Sequence, residues 1–231
     1  MLGKIIQDLK LIWSNIASQT FFNYWEGKIG QSGKHIQIQP NSVIVPDNLY
    51  MEDNTRLQNL NNMISNHGKV VIKKYGVVSS GCILVPGAHT PTVGVPQFLS
   101  ILHINDVEQT ITVGEDAWVG AGCILLSHCK IGRGAVVGAG SVVSKDIPPY
   151  AVVVGSPAKI IGVKFSIEQI LKHESILYPP EERMSRSELD ELFSKHFEGK
   201  RIIGTSYISE SDKEKLLMGR EKFGITDYSN L

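Results

Sequence analysis

Residues 113–148 read, six at a time, VGEDAW, VGAGCI, LLSHCK, IGRGAV, VGAGSV and VSKDIP. An aliphatic residue opens every step: Val113, Val119, Leu125, Ile131, Val137 and Val143. Four places later stand Ala117, Cys123, Cys129, Ala135, Ser141 and Ile147, five of them small. Gly114, Gly120, Gly132 and Gly138 follow the aliphatic and permit a tight bend between short strands. A repeat of six fits neither a helix nor a long strand. It fits a solenoid whose coils stack at the spacing of a parallel sheet and return one aliphatic side chain per step to a shared interior.

The pattern continues upstream in two further phases, at Met51, Leu57 and Met63, and at Ile72, Val78 and Leu84. A short break falls near His67, Gly68 and Lys69. A longer one runs from Thr90 to about Asp106 and carries Pro91, Gly94 and Pro96, the composition of a loop leaving the coils. Long loops on rigid scaffolds are where function tends to sit. Cys82, Cys123 and Cys129 each occupy the small fifth place of a step, which makes them interior packing residues rather than reactive thiols.

These residues resemble the hexapeptide-repeat acetyltransferases, a family that includes sugar O-acetyltransferases and xenobiotic acetyltransferases. The resemblance rests on residues 116–120 (DAWVG), on 131–150 (IGRGAVVGAGSVVSKDIPPY) and on 155–159 (GSPAK), and with the upstream steps covers about residues 47–162. It implies an all-β solenoid, a left-handed parallel β-helix, with acetyl-CoA as co-substrate and no metal. It also implies a homotrimer with sites between subunits.

His89 closes the step that opens at Leu84, immediately before the loop, where the family carries its general base. An alcohol is a poor nucleophile at neutral pH, and an imidazole can take its proton as a thioester is attacked. By the same resemblance Ala121 and Ala139 line the groove for the pantetheine arm through main-chain groups. Ser144 and Lys145 meet the outer part of the cofactor, Lys159 approaches its phosphates, and Trp118 shapes the groove near a neighbouring subunit. Asn59 is expected to contact the acceptor together with His67, in a stretch lacking the acidic pair of many sugar acetyltransferases. His103, inside the loop, is expected to be solvated, with contact to the acceptor as the alternative.

The implied activity is transfer of an acetyl group to a sugar hydroxyl, within surface polysaccharide or lipopolysaccharide assembly. N-acetylation of an amino sugar nucleotide, O-acetylation of an antibiotic, and an inactive binding module are the alternatives. A zinc enzyme on the same scaffold would need clustered histidines, and His67, His89, His103 and His128 are scattered in sequence.

Residues 1–34 are expected to form an N-terminal helical cap, with Leu2, Ile5, Ile6, Leu9, Ile12, Trp13 and Ile16 on helical spacing; weak contact with a membrane surface is the alternative role. Residues 35–162 form the β-helix with its loop at about 90–106. After them, residues 163–231 carry three capping-box patterns, Ser166 with Gln169, Ser185 with Glu188 and Ser211 with Glu214, which predict three short helices. Lys and Arg number 23 against 23 Asp and Glu, so the chain offers no electrostatic footprint for nucleic acid. Three cysteines without a disulfide or zinc spacing point to a reducing cytoplasm.

Overall fold

The computed structural model describes residues 25–39, 42, 44–59, 62–63 and 68–229, together with Ile6, Leu9, Lys10, Ile12, Trp13 and Ile16. From residue 31 to residue 154 the chain passes again and again through three parallel sheets in cyclic order. The first sheet holds Gln31–Ser32, Leu49–Met51, Gly68–Ile72, Gln109–Val113 and Lys130–Ile131. The second holds Gln37–Ile38, Arg56–Leu57, Val77–Val78, Trp118–Val119, Val136–Val137 and Ala151–Val154, extended by Lys159–Val163 and Arg201–Ile202. The third holds Asn62–Met63, Ile83–Leu84, Ile124–Leu125 and Val142–Val143.

Register explains the six-residue period. In the second sheet Ile38 pairs with Leu57, Leu57 with Val78, Val78 with Val119, Val119 with Val137 and Val137 with Val153. Each sheet therefore stacks one inward aliphatic column. All twelve aliphatic positions of the repeat, from Met51 to Val143, are buried. Removing each such side chain from water is worth about 1.5–3 kcal/mol. The small partners fill the corners: Ala117, Cys123, Cys129, Ala135 and Ser141 are buried, and Cys82 and Cys123 donate their thiols to the Gly120 and Gly138 carbonyls at 3.3 and 3.2 Å.

Past Val154 the chain turns back, and Lys159–Val163 pairs antiparallel with Ala151–Val154, which ends the parallel coil. Three helices follow: α1 (Ile167–Leu177), α2 (Arg186–His196) and α3 (Glu210–Lys222). The first two begin at the expected capping boxes on Ser166 and Ser185. The third begins two residues before the expected Ser211. Ser209 caps it, its hydroxyl accepting the Asp212 N–H and donating to the Asp212 carboxylate at 2.8 Å, so an earlier Ser and Asp outcompete the Ser211 and Glu214 pair. Arg201–Ile202, which the sequence pattern did not foretell, adds a last strand beside Lys159–Val163.

These helices pack on the corner between the first and second sheets. Glu174 of α1 is buried there and accepts from the Tyr150 hydroxyl at 2.8 Å, from Arg133 and from the Met184 N–H. Asp116 accepts from Lys164 at 2.6 Å and His173 at 3.1 Å. Burial works against the charge on Asp116, yet those two partners outweigh it and hold its carboxyl below the ordinary carboxylate range. Further along the same corner the Tyr75 ring lies 6.5 Å from that of Tyr178, and Phe223 meets His35 edge-on at 6.3 Å.

Of residues 1–24, the six described are helical and exposed. The remainder of that expected helix lies outside the described residues. Among the described residues, no helix is long and apolar enough to cross a membrane.

Gly68 opens a strand of the first sheet with no room for a side chain. A Cβ there would fall on the Pro86 and Gln109 carbonyl oxygens, both backbone atoms. Gly68→Ala is therefore expected to destabilise the chain by about 1–3 kcal/mol in chemical denaturation, as overpacking of a tight interior does.

Candidate active site

The long loop leaves at the corner between the third and first sheets. Ile83–Leu84 completes a coil, Val85 and Pro86 follow, and the chain departs at His89 to return to Gln109–Val113. Ser127 of the next coil fixes this corner from beneath: its hydroxyl donates to the Val85 carbonyl at 2.9 Å and accepts the Gly87 N–H at 3.1 Å. Within the loop, Gln97–Leu102 forms a 3-10 helix that ends on His103 in the left-handed conformation.

Asp106 closes the neck of the loop. One carboxylate oxygen, Oδ1, accepts the Thr90 N–H at 2.7 Å. The other, Oδ2, lies 2.8 Å from His89 Nδ1 and 3.1 Å from His103 Nδ1. The two imidazole centroids lie 5.2 Å apart, with the rings tilted by 32°. The Asp106 side chain is 5% exposed, that of His103 25% and that of His89 44%, so the carboxylate is enclosed while the first imidazole faces solvent. The Thr90 N–H, followed by the two histidines, holds the Asp106 carboxyl at about 2.

The consequence is tautomeric. An ionised carboxylate accepts only, so each Nδ1 carries the hydrogen and each Nε2 is left with a lone pair. His89 Nε2 is thus left to accept a hydrogen bond or a proton. The expectation that His103 is solvated is not met: it is partly buried and bonded to the carboxylate that holds His89. Asp106, which the sequence reading used only as the loop's end, is the missed residue. Its signal was weak, an acidic side chain at the boundary where the repeat resumes.

Apart from Trp118 and His67, the other expected residues fall by two edges of the third sheet. Ser144 and Lys145 follow Val142–Val143 at the corner that His89 occupies two coils earlier, and both are exposed. Ala121 and Ala139 lie on the opposite edge, exposed, with the Ala121 carbonyl accepting the Gly140 N–H at 2.8 Å. Lys159, exposed, follows the Gly155 to Ala158 turn, which meets Val142 through two backbone bonds. Asn59 sits on this same edge, its carbonyl accepting the Gly81 N–H at 2.7 Å, so no contact joins it to His89. Trp118 is exposed on the second sheet and donates to Ser79 Oγ at 2.9 Å. His67 lies outside the described residues.

Residues 110–145 match the family described as bacterial transferase hexapeptide (six repeats). A chloramphenicol acetyltransferase of Morganella morganii is 43% identical over 75 residues, 32% of this chain and 36% of that protein. Another, from Escherichia coli, is 45% identical over 58 residues, 25% of this chain and 28% of that protein. The chain thus spans about a third of the length of the curated relatives it matches. Among solved structures, a hexapeptide-repeat-containing acetyltransferase from Vibrio cholerae superposes with a TM-score of 0.56 at 20% identity, over 69% of this chain and 90% of that one. A maltose O-acetyltransferase from Clostridium difficile 630 does so with a TM-score of 0.53 at 22% identity, over 67% and 86%. Likeness at these identities is one of fold.

The depressed Asp106 gives a pH test of the neck. A carboxyl whose folded value of about 2 lies below its ordinary 3.8 stabilises the folded chain fully above pH 3.8, and that contribution disappears as the pH falls through about 2. The difference in melting temperature between the wild type and Asp106→Asn is expected to shrink steadily as the pH falls from 3.8 through about 2. A difference unchanged at all pH values would mean that ionised Asp106 does not latch the loop.

Proposed function

We propose that this chain, which carries the bacterial transferase hexapeptide repeat over residues 110–145, is an acetyl-CoA-dependent O-acetyltransferase on a left-handed parallel β-helix, with His89 as general base. The observation that carries the reading is the carboxylate-held imidazole at the neck of the loop, 2.8 Å from Asp106. It supplies what a hydroxyl acceptor needs at neutral pH, a fixed proton acceptor that faces solvent.

The step balances without a covalent enzyme intermediate. His89 Nε2 takes the hydroxyl proton as the acceptor oxygen attacks the thioester carbonyl carbon. Asp106 stabilises the imidazolium so formed but keeps its own charge. The tetrahedral adduct then collapses, the C–S bond breaks, and the departing thiolate takes the proton back from Nε2.

The outer face of the third sheet is the groove proposed for the pantetheine arm, with Ala121 and Ala139 offering main-chain groups on one edge and Ser144 and Lys145 standing on the other. Lys159 is the proposed partner of the nucleotide phosphates. Trp118 and the exposed Phe98 and Ile101 favour burial against further copies of the chain, in keeping with a homotrimer whose sites lie between subunits. Asn59 and His67 remain the proposed acceptor contacts. Residues 35–162 form the transferase unit in this reading, active in the cytoplasm.

A sugar hydroxyl in surface polysaccharide or lipopolysaccharide assembly is the acceptor we favour. A second reading, an antibiotic hydroxyl, draws support from the chloramphenicol acetyltransferase matches and from the apolar Val95, Leu99 and Ile104, which line a small cavity together with His89.

Both readings are tested by one panel: acetyl-CoA with free sugars, nucleotide sugars and chloramphenicol, following thiol release and the alkali lability of the product. An ester is expected, and His89→Ala is expected to lower kcat by about 10²–10⁴-fold with its melting curve intact. Asp106→Asn, which would offer His89 Nδ1 a donor in place of an acceptor, is expected to lose a comparable factor through the wrong tautomer. Near-wild-type turnover in His89→Ala would remove the base from the mechanism.

A further inference from the structure

His89, His103 and Asp106 offer one donor atom each, and these atoms lie within 4.8 Å of one another. Two imidazoles and one carboxylate are a ligand set for zinc and its transition-metal neighbours, and a poor one for magnesium or calcium, which take oxygen ligands. The separations suit the smaller ions. Tetrahedral zinc with bonds of 2.0–2.2 Å places its ligand atoms about 3.3 Å apart, and the two Nδ1 atoms stand 2.8 and 3.1 Å from Asp106 Oδ2. Each contact needs to open by only a few tenths of an ångström. Asp106 is already oriented through Oδ1 by the Thr90 N–H, as ligating carboxylates are by their outer partners. The exposed side of His89 leaves a way in.

We propose that His89 Nδ1, His103 Nδ1 and Asp106 Oδ2 bind a divalent zinc-type ion, and that this ion switches the base off. The ion takes the place of the hydrogens that bridge each Nδ1 to Oδ2. Each neutral imidazole keeps one proton, so that proton must sit on Nε2, converting the nitrogen that accepts from the substrate into a donor. The ion inhibits by reversing the tautomer without having to occupy the acceptor's place. Metal binding follows from the geometry alone, whereas the inhibitory half rests on the reading of His89 as the base.

The test uses the whole chain with Zn²⁺ or Co²⁺ alone as probe. Calorimetric titration with Zn²⁺ and the visible absorption of bound Co²⁺ are measured for the wild type and for His103→Ala and His103→Gln, with melting curves to establish that each variant is folded. One ion per chain is expected in the wild type, with affinity about 10-fold or more weaker in both variants. Acetyl transfer is read chromatographically from the acetylated product, because the thiol of free coenzyme A also takes zinc. The ratio of the rates without and with Zn²⁺ is expected to exceed about 10 near saturation in the wild type, to be several-fold smaller in the His103 variants at the same Zn²⁺ concentration, and to return to unity with a chelator. Mg²⁺ is expected to do nothing. Equal zinc affinity in the wild type and both folded variants overturns the site, and full occupancy with unchanged turnover overturns the switch. Should no acceptor be acetylated, the proposed activity fails while the binding titration still decides the metal site.

Discussion

Everything in this molecule is subordinate to keeping three aliphatic columns in parallel register. Val119 finds Val137 eighteen residues on, and the coils earlier in the chain take longer steps, yet Leu57 still meets Val78 and Val78 still meets Val119. A strand slipped by one residue would send its aliphatic outward and a polar neighbour inward. Extra residues must therefore leave the stack at a corner, between strands. The long loop does so, and the departing chain carries His89 with it. The position of the candidate base is a by-product of register conservation.

The columns were legible because burial of one face imposes a period that survives substitution among Val, Ile, Leu and Met. The longer phase break in that period falls between Ile83–Leu84 and Gln109–Val113, where the chain leaves the stack. Two of the three helix starts were legible through Ser166 and Ser185, since a capping box is a local bargain between residues three apart. The third misled because two overlapping Ser and acid pairs, at Ser209 and Ser211, compete and only tertiary context separates them.

What could not be read were contacts that close a long loop. Asp106 stands 17 residues from His89 and joins it only because the loop's ends come together at the corner. The same closure brings His103 beside His89, so histidines scattered in sequence become neighbours in space. Nor does periodicity carry information about Arg201–Ile202, a two-residue strand whose own side chains are exposed. Its place beside Lys159–Val163 is decided by the sheet edge waiting there.

Stacked repeats have a weakness: each coil touches only its neighbours, so an array can fray from either end. The segment after residue 163 answers this. It grips Tyr150 and Arg133 near one end of the stack through Glu174, passes Asp116 and Tyr75, and sets Phe223 against His35 near the other. A brace of this kind couples the outermost coils along their whole length, so that loss of one end releases contacts at the other, and a piecewise array melts as a single unit.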